Sequence, residues 1–443
     1  MRVNRYLIAE EAFRNVTVFE QRATVGGMWN YTAPGSAPLG IRGSRCGDEF
    51  AGPVYDELES NIPKSLMQHS QLSFPDDEQL LPSHTSVLQY LTDYAADLRH
   101  LIAFQTQVVD VSATDNSKWS LTTRDLRSRK TTTDVYDAVV VANGHFEVPD
   151  VPEIDGLAAW KEQHPESVLH SLTYRNAAPF KDKKTIVVGT GASGSEIATH
   201  LQRVCKQPVI ISKRNHIPGP GDLTDRLILP AITQLVPERR AVRFANGHVE
   251  QDVDHIIFCT GYLCQFPFFP QMPTLYDGFC TRNLYRNIFY ISQPTLAFVA
   301  MPLKSVPFPL SESQGAVIAR VWSNRLSLPS KPVMTRWDKA FFLKFGKKKP
   351  TPLEAAAFNV SIMDDLYDWA LRATRRPNLG NDGQGMLPPR WGEKEIWIRN
   401  RLGPIKAAFT AKGEARHQIK TLEQLGFDFD DWKKNTPASG EYL

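Results

Sequence analysis

The sequence predicts an α/β fold with two dinucleotide-binding, Rossmann-like domains, one inserted into the other. Three observations predict it. Thr185-Ile186-Val187-Val188 reads as a buried strand, and Gly189-Thr190-Gly191-Ala192-Ser193-Gly194 follows as a glycine turn. Ile197, Leu201 and Val204 then share one helical face, until Pro208 breaks the pattern before the β-branched run Val209-Ile210-Ile211. Val16-Thr17-Val18-Phe19 reads as a strand of a second unit of this kind, ending in Glu20. Ala138 to His145 and His255 to Tyr262 share a third form, an apolar run closed by a small residue and glycine, which suits chain crossings between two nucleotide domains.

Taken in order, Tyr6 to Phe13 reads as a helix, with only about a dozen residues ahead of the Val16–Phe19 strand. A complete βαβ unit takes about 30 residues. The first strand and its glycine turn therefore have no room, and the chain is expected to be a shortened form. Glu20 at a strand end suits a nucleotide with an unphosphorylated ribose, such as FAD. Gly26-Gly27-Met28-Trp29 lets backbone pass close to a ligand with an indole beside it, although two glycines also serve as turn punctuation.

In the central unit, Gly189 permits the tight turn, Gly191 lets the backbone approach a pyrophosphate, and Gly194 allows close helix packing. The helix N-terminus adds oriented N–H donors. Ser212-Lys213-Arg214 ends the second strand, where an acid would hold a free ribose hydroxyl and cations favour a 2′-phosphate. This reads as NADPH rather than NADH, with Lys213 and Arg214 on the phosphate and Ser212 as a hydrogen-bond donor.

Composition excludes more than it identifies. The chain has 443 residues, 42% apolar and 22% charged, enough for two or three ordinary globular domains. With 51 basic and 48 acidic residues, the net charge of +3 provides no field for a nucleic-acid backbone. The basic run Lys344 to Lys349 reads as a solvated face. Cys46, Cys205, Cys259, Cys264 and Cys280 form no Cys-x-x-Cys pair and are odd in number, so reduced thiols in a cytoplasmic protein are expected, with no disulfide framework and no metal site. The first residues lack a signal-peptide apolar core, and no stretch approaches the roughly 18 apolar residues of a membrane span. There is no Gly-x-Ser-x-Gly elbow for a hydrolase. His145 and His170 invite a general-base reading, but no carboxylate is placed beside either by the sequence, and structural histidines in turns are commoner.

Several further segments agree in order with one family. They are Phe19-Glu20 with Gly26-Gly27-Met28-Trp29, Asn61-Ile62-Pro63-Lys64-Ser65-Leu66-Met67, Phe74-Pro75, Tyr136 to His145, and His170-Ser171-Leu172-Thr173-Tyr174. The glycine turn follows, then Cys259-Thr260-Gly261-Tyr262, Pro294 to Phe298, Pro307-Phe308-Pro309, and Gln314 ahead of Ala319-Arg320. Together they resemble the flavin-containing monooxygenase family, from about Tyr6 to Ser330. Tyr174 stands where Baeyer–Villiger relatives usually carry Trp, which favours heteroatom oxygenation. Two departures stand out: the absent flavin glycine loop, and His164 and Glu166 at the aromatic and glycine positions of the family fingerprint ahead of His170.

The resemblance implies an FAD domain over 1–173, an NADPH domain over 174–282, and a return to the FAD domain with a C-terminal helical segment over 283–443. It implies that NADPH reduces FAD, that dioxygen adds at flavin C4a, and that a soft nitrogen or sulfur nucleophile of a small molecule takes the terminal oxygen of the hydroperoxide. Asn61 matches the family's catalytic asparagine, and Gln314 a residue near the flavin ring. Glu20, Gly27, Trp29 and Met67 are expected on FAD. Gly189, Gly191, Ser193, Gly194, Ser212, Lys213, Arg214, Thr260 and Gly261 are expected on NADPH. Alternatives are an NADP-binding relic without flavin, and Baeyer–Villiger insertion into ketones; a disulfide reductase lacks its close cysteine pair.

Overall fold

The computed structural model describes residues 2–33, 50, 52–214, 226–272, 275, 281–301, 305–345 and 352–435. Two compact units divide the chain, one of residues 1–26, 59–144 and 266–443, the other of 27–58 and 145–265. Each is mixed α and β.

In the 27–58 and 145–265 unit, five parallel strands lie in the order Arg226–Leu229, Val209–Ser212, Thr185–Val188, His255–Phe258 and Val168–His170. The edge strand Val168–His170 stands ahead of residue 174 and still belongs to this sheet. Runs of Ile and Val suit this position, because a parallel sheet is covered on both faces. Ile186, Val187, Ile256, Ile257 and Phe258 have no exposed surface. The helix Ala192–Gln202 connects Thr185–Val188 to Val209–Ser212 and buries Ile197, Ala198 and Leu201. A three-stranded antiparallel sheet of Ile232–Val236, Ala241–Phe244 and Val249–Glu250 adds Leu235, Val242 and Phe244 to the same core as Ile186 and Ile256.

The other unit carries its parallel strands as two separate pairs, Val18–Glu20 with Ile102–Phe104, and Val139–Val141 with Leu296–Phe298. Among the described residues no strand joins the two pairs, and Val18, Phe19, Glu20, Val139 and Val140 are only half-buried. An antiparallel meander follows, Thr106–Ala113, Trp119–Asp125 and Thr131–Tyr136. The core centres on the helix Pro307–Trp322, buried from Phe308 to Arg320, with Lys331–Phe345, Pro352–Leu371, Glu393–Asn400 and Leu402–Ala411 completing the helical layer.

The first helix differs from its expected span. It runs Arg2–Ala9 rather than Tyr6 to Phe13, because Val3, Tyr6 and Leu7 form its buried face at i, i+3 and i+4. Gly315 makes this packing possible: a Cβ there would lie 3.1 Å from Val3 Cα and 3.2 Å from Tyr6 Cδ2. The helix ends where Glu10 turns inward to Arg325, whose Nη1 donates to both carboxylate oxygens at 2.8 and 3.0 Å, and to Ser323, whose Oγ donates at 2.8 Å. Glu11 then takes a left-handed φ of 49°. The strand expected at Val16–Phe19 runs Val18–Glu20.

Candidate functional site

The glycine turn after Thr185–Val188 is shaped as its spacing requires. Gly189 has φ 106°, and a Cβ on it would lie 2.6 Å from the Cys259 carbonyl oxygen. A Cβ on Gly194 would lie 2.1 Å from the Gly189 carbonyl oxygen, so helix and turn pack at a distance only glycine allows. Gly191 has open space where its Cβ would be, and it caps the helix without any side-chain bond. Ser193 is half-buried on the first turn. The result is a concave backbone surface at a helix N-terminus, the arrangement that accepts a pyrophosphate.

Lys213 and Arg214 are exposed just past the Val209–Ser212 strand. Ser212 is buried, and its Oγ donates to the Pro230 carbonyl at 3.0 Å, which directs the hydroxyl proton away from any ligand. Thr260 Oγ1 donates to the Asp150 carbonyl. Gly261, at φ 96°, accepts from Asp150 N at 2.8 Å and from His170 Nε2 at 3.0 Å. His170 Nδ1 in turn accepts from Leu172 N at 3.1 Å. Both ring nitrogens are therefore spent on backbone, and burial pushes the His170 pKa down to about 4. Burial does the same to His145, also to about 4. Neither imidazole is poised as a general base at neutral pH.

Sequence reasoning missed Arg175. Its Nη1 donates to the carbonyls of Leu172 and Tyr174, each at 2.8 Å, and its Nη2 to Gly52 at 3.1 Å, so one buried guanidinium holds the turn after His170. Tyr174 itself is a core residue, edge-on to Tyr55 at 5.5 Å between ring centroids. His164 lies at the end of the helix Leu157–Gln163, its Nε2 3.1 Å from the Pro237 carbonyl. Gly27, at φ 53°, and Trp29 form a single 3₁₀ turn, closed by Asn30 Nδ2 donating to Gly27 O at 3.0 Å.

In the other unit, Glu20 is the last residue of its strand, and its Oε1 accepts from Arg22 N at 2.8 Å. Asn61 is half-buried on a turn that Ser60 organises: Ser60 Oγ accepts from Ile62 N at 3.0 Å and donates to Ile62 O at 2.7 Å, with Met67 Sδ 3.3 Å away. Pro63 starts the short helix Lys64–Met67, which packs on Pro307–Trp322. Ser70 joins the same helix through its N and Oγ, donating to the Glu312 carboxylate at 3.1 and 3.0 Å. Gln314 is two residues further on and has no exposed surface. Its Oε1 accepts from Ala300 N at 2.8 Å, and Ala300 takes a left-handed φ of 57°. Its Nε2 is a buried donor with no acceptor among the described residues.

An unsatisfied buried amide costs about 1–3 kcal/mol, so Gln314 Nε2 fits the edge of a hydrogen-bonding ring system such as a flavin. The glycine turn fits a dinucleotide pyrophosphate. No second turn of that kind stands at a helix N-terminus among the described residues of the flavin-side unit. Cavities of about 640 and 550 Å³ open instead on the C-terminal helices, beside Asp364 and Arg390 and beside Arg286 and Trp369, and none of the expected cofactor residues lines them. No group of three or more His, Cys, Asp or Glu residues among the described residues is arranged to hold a metal.

A parallel sheet with a glycine turn and a cationic strand end is the arrangement of a dinucleotide-binding protein. The chain belongs to the flavin-binding monooxygenase-like family, whose model matches residues 8–217 and 225–360. It is 34% identical over 348 residues to the flavin-containing monooxygenase FMO GS-OX-like 4 of Arabidopsis thaliana, covering 74% of this chain and 75% of that protein. It is 32% identical over 342 residues to the thiol-specific monooxygenase of Saccharomyces cerevisiae, covering 73% of each. In fold it is similar to S-allyl-L-cysteine S-oxygenase from Allium sativum, with a TM-score of 0.76 at 24% identity over 96% of this chain and 94% of that one. It is also similar to Tmm from Pelagibacter sp. strain HTCC7211, with a TM-score of 0.75 at 21% identity over 92% and 89%. The protein is a flavin-dependent monooxygenase that uses NADPH and dioxygen on nitrogen or sulfur nucleophiles. Among the described residues, no helix is long and apolar enough to cross a membrane.

Proposed function

We propose that the protein oxygenates the sulfur of a small thiol or sulfide, with NADPH held by the 27–58 and 145–265 unit and FAD by the unit of 1–26, 59–144 and 266–443. In this reading the NADPH unit is inserted into the FAD unit. The buried, unpartnered Gln314 Nε2 carries the flavin assignment. The sulfur preference rests on the relatives whose names specify thiol and S-allyl-cysteine oxygenation. The buried thiols of Cys205 and Cys259 are in keeping with a cytoplasmic setting.

Gly189, Gly191, Ser193 and Gly194 cradle the NADPH pyrophosphate, with Gly261 and Thr260 at the end of the neighbouring strand. Lys213 and Arg214 pair with the 2′-phosphate, and Ser212 contributes the strand end rather than its hydroxyl proton. Glu20 takes the FAD ribose, and Met67 and Gln314 meet its ring; Gly27 and Trp29, expected on FAD, fall in the 27–58 and 145–265 unit. Bound flavin supplies hydride acceptance from NADPH and activation of dioxygen. Asn61 is the catalytic residue: its amide donates and accepts hydrogen bonds without titrating, so it orients reacting oxygen and releases no proton to it.

The test is the visible spectrum of the purified chain before and after added FAD, then anaerobic NADPH and a thiol with air. Yellow absorbance bleached by NADPH, with product heavier by one oxygen atom, is the expected result. NADPH binding without flavin uptake at any FAD concentration would remove the monooxygenase assignment from this chain.

A further inference from the structure

The turn that carries Asn61 is gripped from behind by the end of the chain. Lys406, on the helix Leu402–Ala411, places Nζ 3.3 Å from Ser60 O and 3.5 Å from Glu59 O. Ser60 O belongs to the peptide unit whose nitrogen is that of Asn61, so the ammonium holds the link immediately ahead of it. Arg416, on the 3₁₀ segment Gly413–Gln418, donates from Nε to both Glu59 carboxylate oxygens at 3.0 and 3.1 Å. The two side chains are 9% and 8% exposed. His417 Nδ1 lies 3.6 Å from the same carboxylate, and Lys406 Nζ 3.9 Å.

A second layer ties the same turn to the same segment. Leu80 N donates to Ile419 O at 2.7 Å, Leu80 O accepts from Lys64 N at 2.9 Å, and Ser60 N donates to Pro82 O at 2.8 Å. The residues on either side of Asn61 are thus fixed from a region that begins after residue 360, where the family match ends.

We propose that Lys406 and Arg416 are positioning residues for Asn61, a role that rests on reading Asn61 as the residue facing the flavin. Charge-assisted bonds to a backbone carbonyl and a buried carboxylate set where the Asn61 peptide lies, and an amide orients a reacting oxygen only from a fixed distance. Lys406 is the better probe, since Arg416 leaves a buried carboxylate unpaired when removed, which threatens folding itself.

The experiment is amide hydrogen exchange of the full chain, comparing the unaltered protein with Lys406→Met and Lys406→Arg. Lys406→Met is expected to speed exchange across residues 59–67 by about tenfold, to leave the Thr185–Gln202 peptide unchanged, and to be largely reversed by Lys406→Arg. With FAD and NADPH supplied, the same variant is expected to release more hydrogen peroxide per NADPH oxidised at an unchanged KM for NADPH. Unchanged exchange over 59–67, or equal loosening of both units, would overturn the positioning role. Wild-type peroxide release by Asn61→Ala would instead overturn the catalytic reading of Asn61 while leaving the exchange result intact.

Discussion

In one unit Thr185–Val188 is bonded along both edges, to Val209–Ser212 and to His255–Phe258, and its four residues are buried. In the other, Val18–Glu20 and Val139–Val141 each have a single partner strand among the described residues, and five of their six residues are half-exposed. The difference teaches that the central strand does two things at once: it closes the sheet, and it delivers the glycine turn to the helix that receives a pyrophosphate. Where it is present, packing and phosphate recognition come together. The other unit rests on its helical layer, on the Glu10–Arg325 ion pair and on the Pro307–Trp322 core.

The contrast is sharpened first by Glu10→Ala. Glu10 and Arg325 are 2% and 4% exposed, so removing one partner strands a buried charge and is expected to cost about 3–5 kcal/mol. A urea melt that shows less than about 1 kcal/mol would deny this pair its part in holding the first helix. Next come matched deletions in the two sheets. Ile257→Ala, in the closed sheet, should lose about 2–5 kcal/mol, and the half-buried Val140→Ala about 1 kcal/mol. Equal losses in chemical denaturation would show that Val140 is packed as tightly as the closed sheet, and the comparison would break.

Replacing both Lys213 and Arg214 by Ala should raise the KM for NADPH by about tenfold while changing that for NADH far less. Both side chains are exposed, so the effect should shrink with added salt. A parallel rise for both nucleotides would remove the 2′-phosphate assignment. The smallest effect at neutral pH comes from His170, which is neutral there whether folded or unfolded. Its folded pKa of about 4 lies below the ordinary 6.5, so the unfolded chain binds more protons between those values. Stability should therefore fall as pH drops from about 6.5 to about 4, and His170→Gln should flatten part of that slope. An unchanged slope in thermal melts at graded pH would place the titration elsewhere.

Much of the nucleotide unit was legible in the linear chain because its signals are local. A β-branched run, three glycines at fixed spacing, an apolar helical face and two cations at a strand end lie within 30 residues, from Thr185 to Arg214. The roles that spread across the chain were less legible. Ser212 has the right position for a phosphate donor, but a carbonyl 18 residues away takes its hydroxyl proton. Arg175 carries no local signal, because its guanidinium donates to four carbonyls, of Thr32, Gly52, Leu172 and Tyr174. The span of the first helix was misplaced because its face is chosen by Gly315 and its end by Arg325.

By itself, then, the sequence determined the α/β class, the glycine turn and the cationic strand end, since each depends on neighbours a few residues apart and on backbone geometry that only certain residues adopt. The tertiary structure alone decided which parallel strands share a sheet, that Gln314 buries an amide nitrogen without an acceptor among the described residues, and that Lys406 and Arg416 reach back 346 and 357 residues to the turn of Asn61. Those facts depend on burial and charge pairing between distant segments, and a hydrogen bond or an unpaired donor has an energetic meaning only once the chain has removed it from water.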